Sequence, residues 1–231
     1  MGAIAANHLL LTALGLLPRS TQLGPNWTRL PHRSQARSEV ALTFDDGPDP
    51  AVTPRVLDLL DAAGAQGSFF CIGERAERYP DLCREIVARG HGVENHTQHH
   101  GHGFSLLGPR GLEREIRSAQ ETLASITGQV PRFFRAPAGL RSPLLEPVLF
   151  RLDLRLAAWT RRGFDTRTRD PGRVMRRLTR GLAARDILLL HDGNAARCAS
   201  GEPMVIQVLP DLLQAIAASG LRPVTLRSLI R

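Results

Sequence analysis

The chain has 231 residues, 42% hydrophobic and 23% charged, a balance that suits one globular unit with a sizeable core. All 30 basic residues are arginine, because the sequence contains no lysine, and this excludes Schiff-base chemistry and a lysine-bearing phosphate loop. The formal net charge of +8 suits an acidic partner such as an anionic glycan, lipid headgroups or nucleic acid, although a skewed genome base composition gives the same figure.

Residues 3–17 are mostly apolar, but Asn7 and His8 interrupt them and no basic residue precedes them. The run falls short of the ~20 residues of a membrane span, and it lacks the charged start of a signal peptide. It reads as the end of a longer hydrophobic segment or as an anchor at a membrane surface. Residues 18–38, rich in Pro, Ser, Asn and Arg, read as a linker, so the expected organisation is an N-terminal segment and linker over 1–38 and one folded domain over 39–231. Cys71, Cys83 and Cys198 are odd in number and widely spaced, which argues against a disulfide framework, and no Cys-x-x-Cys zinc pattern occurs.

From residue 40 onward apolar runs alternate with helical patterning. Strands are predicted over 40–44, 67–72, 92–95, 132–135, 154–159, 186–190 and 223–226, and helices over 52–63, 75–89, 109–127, 142–151, 171–184 and 205–219. Gly64, Gly90 and Gly220 fall where helices should stop. This alternation implies a parallel sheet. Seven units with polar residues at the strand ends suit a closed or nearly closed barrel, whose chemistry gathers at the C-terminal ends of the strands.

Five of those strand ends carry reactive residues. The first is Thr43-Phe44-Asp45-Asp46-Gly47-Pro48, where two adjacent carboxylates repel each other unless a cation or an arginine balances them. One aspartate there would pass for a turn cap; two in tandem point to a site. The second is Glu94-Asn95-His96-Thr97-Gln98-His99-His100, in which one helical turn would place His96 and His100 on the same face, as it would His96 and His99. Two histidines and one carboxylate leave zinc an open position. The third is Phe133-Phe134-Arg135-Ala136-Pro137, with Arg135 placed to neutralise a crowded carboxylate. In the fourth, Asp165 lies beyond Trp159 and suits the orientation of a catalytic histidine; in the fifth, Leu188-Leu189-Leu190-His191-Asp192-Gly193 presents His191. Taken singly, a surface arginine or a structural histidine would be the usual explanation.

Together these five blocks resemble the polysaccharide deacetylase family, the domain shared with chitooligosaccharide deacetylase, from about residue 40 to the C-terminus. The resemblance implies an α/β fold, a distorted and partly open parallel (β/α)7-8 barrel in a single domain. It implies that Asp46, His96 and His100 hold a divalent metal, usually zinc, with cobalt or manganese as alternatives. By the same resemblance Asp45 is the general base, Arg135 orients it, His191 protonates the leaving amine, and Asp165 tunes that histidine. The implied activity is metal-dependent removal of an N-acetyl or other acyl group from an amino sugar in a polysaccharide, oligosaccharide or glycolipid, outside the cytoplasm or at the cell envelope. Two positions depart from the family pattern: Ala138 and Thr166 stand where aromatic residues are usual, so the sugar cleft should be wider or differently shaped.

Other readings are a catalytically idle glycan-binding module on the same barrel, a hydrolase of a different small amide, and a binder of anionic surfaces through Arg161, Arg162, Arg167, Arg169, Arg173, Arg176, Arg177 and Arg180. At least part of this run lies on a predicted helix, where a solvated charged face is the more common explanation. No nucleic-acid partner is expected, because no aromatic residues interleave with the arginines for base stacking.

Overall fold

The computed structural model describes residues 2–32 and 38–230. Its elements are α1 (Gly2–Gly15), β1 (Glu39–Asp45), α2 (Thr53–Ala62), β2 (Gly67–Cys71), α3 (Gly73–Arg78), α4 (Pro80–Ala88), β3 (Gly92–Asn95), α5 (Pro109–Thr127), β4 (Phe133–Phe134), α6 (Leu145–Arg151), β5 (Arg155–Leu156), β6 (Arg161–Arg162), α7 (Pro171–Thr179), β7 (Ile187–His191), α8 (Met204–Ala218) and β8 (Arg222–Val224). The named strands pair in parallel in the order β5-β4-β3-β2-β1-β7-β6. All seven residues of β1 are buried, as expected of a central parallel strand covered on both faces.

β5 and β6 are two parts of one pass of the chain. Only residues 157–160 separate them, yet β5 pairs with β4 and β6 pairs with β7. That stretch carries the sheet round into the expected distorted, partly open barrel. β8 lies beside Glu39, Val40 and Ala41 of β1, just ahead of the point where β2 begins to pair at Leu42.

Alternation along the strands divides the core. Leu42, Phe44, Phe69, Leu188 and Leu190 pack outward against α2 and α8, with Leu57, Leu60, Val208 and Leu212. Ala41, Phe70, Phe133, Ile187 and Leu189 form a second cluster with Leu30, Trp159 and Leu226.

Several boundaries differ from the sequence expectation. The helix over 75–89 is two helices, α3 and α4, because Pro80 has no N–H to continue the ladder and Tyr79 leaves helical geometry with ψ 60°. α7 stops at Thr179, two residues before Gly181 takes a left-handed φ of 68°. The linker expected over 18–38 is partly folded. Leu30 is completely buried, and its N–H donates to the Arg185 carbonyl. Trp27 bridges to Ala157 and packs edge-on against Phe133 at 5.0 Å. Thr160 donates to the Thr28 carbonyl, so residues 27–30 wedge between β5 and the start of β7. Residues 33–37 of that expected linker lie outside the described residues. No helix among the described residues is long and apolar enough to cross a membrane.

Candidate active site

Strand register brings the sequence blocks to one rim. Asp45 is level with His191 on one side and with Phe70 on the other. Asn95, just before His96, is level with Cys71 and with Phe134, just before Arg135.

The two adjacent aspartates are separated by backbone geometry. Asp45 continues the strand, whereas Asp46 adopts a φ of 70° and turns its carboxylate elsewhere. Asp45 Oδ1 accepts from Arg135 Nη1 at 2.6 Å. Arg135 is buried, with its guanidinium 4.1 Å above the Phe70 ring, and it also donates to Thr43 Oγ1 and to the carbonyls of Ala157 and Ala158. Burial disfavours the guanidinium charge, and Asp45 opposes that effect. A planar donor set with four of its five N–H groups engaged fixes the carboxylate in one orientation.

Asp46 Oδ1 lies 3.2 Å from Nε2 of both His96 and His100. His96 Nδ1–H donates to the Arg135 carbonyl at 2.8 Å, which turns Nε2 toward the Asp46 carboxylate. Ligand atoms of Asp46, His96 and His100 all lie within 4.8 Å of one another. Acceptors converging in this way require protons or a cation between them. Burial alone would raise the Asp46 carboxyl, but His96, His191 and His100 hold it far below the ordinary carboxylate range. One carboxylate oxygen and two imidazoles, open to a cavity on one side, fit a divalent ion.

The helical turn expected to pair His96 with His100 is absent. Both residues sit on an irregular loop in which Thr97 and His100 take positive φ, 68° and 53°. The loop is tied down from within and from α5. Asn95 Oδ1 accepts from Thr97 N, Thr97 Oγ1 accepts from His100 N, and Asn95 Nδ2 donates to the Ile116 carbonyl. His99 faces outward, bonded to Glu115. Of the two, His100 is the one beside Asp46.

His191 ends β7, and its Nδ1–H donates to Asp165 Oδ1 at 2.9 Å while its backbone N–H donates to Oδ2. Burial works against a charged His191, but the charge and hydrogen bond of Asp165, aided by Asp45 and Asp46, push it up to about 9. Asp165 is itself completely buried.

These groups open into a cavity of about 260 Å³ whose lining includes Asp45, Asp46, His96, His100, His191 and Ala138. The supporting roles of four residues escaped the sequence reading. Asn194 Nδ2 donates to Asp46 Oδ2, and Arg75 donates to the Asp46 carbonyl and to Asn194 Oδ1. Asp192 is buried, accepts from Thr53 Oγ1, and is pushed up to about 7 by burial. Asn194 follows the fifth block immediately, which is a usable signal; Arg75 and Thr53 carry none. The chain passes closely here: a side chain on Gly47 would strike the Asp192 carboxylate, and one on Gly193 would strike the Asp46 carbonyl.

The polysaccharide deacetylase family model matches residues 32–157. A chitooligosaccharide deacetylase of Azorhizobium caulinodans is 34% identical over 189 residues, spanning 80% of this chain and 86% of that protein. A peptidoglycan-N-acetylglucosamine deacetylase of Bacillus cereus is 30% identical over 194 residues, spanning 83% and 88%. A solved family 4 carbohydrate esterase from Streptomyces lividans, in complex with acetate, superposes with a TM-score of 0.73 at 27% identity, covering 83% of this chain and 95% of that one.

Proposed function

Because this chain belongs to the polysaccharide deacetylase family, a family of metal-dependent hydrolases, we propose that it removes the N-acetyl group from an amino sugar in a polysaccharide, oligosaccharide or glycolipid. The observation that carries this reading is convergence: the Asp46–His96–His100 cluster, the Asp45–Arg135 pair and the His191–Asp165 pair face one cavity.

Asp46, His96 and His100 would hold the metal, with zinc the best match to two imidazoles and one carboxylate. When bound, such an ion supplies Lewis-acid polarisation of the amide carbonyl and activation of water. The chain's own residues do the proton work. Asp45, its Oδ1 held by Arg135, offers Oδ2 to take a proton from the attacking water. His191 gives its Nδ1–H to Asp165, which leaves Nε2–H to protonate the leaving nitrogen as the carbon–nitrogen bond breaks. The main-chain N–H of Ala138, on the cavity wall, is the proposed donor to the oxyanion. The products are acetate and a free amine.

An idle binding module would have no use for two complete proton relays, which speaks against that reading. The proposed location is the cell envelope, where such glycans lie, with residues 2–17 touching a membrane surface. Acetate release by the zinc-loaded protein from chitooligosaccharides, peptidoglycan fragments and a lipid-linked amino sugar tests the activity. Asp45→Asn should abolish turnover while metal stays bound; persistent turnover refutes the base assignment.

A further inference from the structure

Arg162 has a setting unlike the other arginines near the site. It ends β6, level with Leu189, and both residues line the active-site cavity. Its guanidinium is stacked 5.1 Å from the Trp159 ring and 4.9 Å from the Phe164 ring. Its Nε is buried without a hydrogen-bond partner, and the side chain makes no ion pair or hydrogen bond among the described residues. The neighbouring Arg161, by contrast, is engaged by Asp186 and the carbonyls of Arg180 and Gly181.

A half-buried guanidinium whose Nε lacks a hydrogen-bond partner is costly. Stacking on two rings holds the plane rigid and leaves the N–H edge for a planar or tetrahedral anion. Arg167 lines the same cavity, also without an ion pair among the described residues. Burial disfavours the Arg162 charge, and Arg167 adds to that effect, against the opposing pull of Asp45, Asp165 and Asp46. Two guanidiniums that line one cavity, neither in a direct ion pair among the described residues, present N–H donors that an anion can occupy. Ala138 and Thr166, both short, line the same cavity and leave room for a substituent on the sugar.

We infer that Arg162, with Arg167 beside it, forms a subsite for an anionic group, a carboxylate or a phosphate, carried by the N-acyl amino sugar close to the amide that is cleaved. This inference rests on the deacetylase reading and narrows its substrate class to acidic amino sugars.

The test uses the full zinc-loaded chain and three sugars of similar size: a neutral N,N′-diacetyl disaccharide, its counterpart bearing a carboxylated ether, and its counterpart bearing a 1-phosphate. Wild type should turn over at least one acidic sugar with the higher kcat/KM. Arg162→Gln should lower the acidic-to-neutral ratio by about 10- to 100-fold, the worth of a charge-assisted pair. The two acidic arms show which anion is read, and the neutral sugar serves as an internal reference if the variant is partly misfolded. An unchanged ratio in both Arg162→Gln and the Arg162→Gln/Arg167→Gln double variant overturns the subsite. Loss of turnover on all three sugars would sink the deacetylase reading instead, and calorimetry then judges the subsite alone. With Asp45→Asn, an acidic sugar should bind more tightly than the neutral one, and adding Arg162→Gln should erase that difference. Equal affinities in Asp45→Asn overturn it.

Discussion

Asp165→Asn removes one charge from a completely buried position and keeps an oxygen that can still accept from His191 Nδ1–H. His191 stands at about 9 against an ordinary 6.5, a difference of about 2.5 units. That corresponds to roughly 3 kcal/mol of preference for the protonated ring. Burial pulls the other way, and Asp165 has the largest effect of the three carboxylates that raise the ring, ahead of Asp45 and Asp46. With the charge gone, His191 should fall back toward its ordinary 6.5. A histidine raised in the folded state contributes stability that is complete below about 6.5 and is lost as pH rises through about 9. In metal-free protein, the stability advantage of wild type over Asp165→Asn should therefore shrink by roughly 3 kcal/mol across that window. Urea unfolding at a series of pH values measures it. In the metal-loaded enzyme a cation near Asp46 lowers His191 in both proteins, so the readout is the separation of their alkaline limbs. The Asp165→Asn limb in kcat should lie at lower pH, since deprotonated His191 cannot serve the leaving amine. A stability gap that stays constant with pH, together with coincident alkaline limbs, refutes the relay.

His100→Ala leaves two donors and should lose metal on dialysis, whereas His99→Ala, whose ring bonds Glu115, should keep it; elemental analysis of the two dialysed variants separates them. Leu30→Ala should cost about 2–5 kcal/mol in denaturant unfolding, the usual range for a buried leucine, and a loss below about 1 kcal/mol would return residues 27–30 to the status of a linker. Arg135→Met strands a buried Asp45 carboxylate and leaves two carbonyls without their donor. It should destabilise the fold by about 3–5 kcal/mol, whereas a surface arginine change would register within about 0.5 kcal/mol.

How much of this was legible depended on whether local sequence alone dictated the geometry. Asp45, Arg135 and His191 were readable because each ends an apolar run that can only be a buried strand, and the last inward residue before the break must face the barrel mouth. The separation of Asp45 from Asp46 was half-legible: the tandem pair announced a conflict, but its resolution lies in the positive φ of Asp46. His96 and His100 come together by a route the sequence did not hold. The spacing suggests a helical turn, while the actual loop is set by Asn95, Thr97 and the distant α5. Leu30 was hidden because prolines and arginines surround it and no periodic pattern marks it. Arg162 was visible only as one of a run of arginines; its distinct setting comes from Trp159 and Phe164 closing on it across the β6 turn.

The proposed roles follow from how three aspartates are partnered. Each sits near the same cavity, and a carboxylate by itself could serve as ligand, base or orienting group. Asp45 has Oδ1 tied to the Arg135 guanidinium and keeps its other oxygen available, the requirement for a base. The Asp46 carboxylate makes no ion pair with an arginine among the described residues; it meets two imidazoles and the Asn194 amide, a set that a divalent ion completes. Asp165 is sealed from solvent and bonds His191 through both oxygens, so its charge acts on that ring. Exchanging any two of these partners would exchange the roles, because the side chains are identical. The chemistry is therefore carried by Arg135, by the His96–His100 loop and by the end of β7, each fixing what one aspartate is able to do.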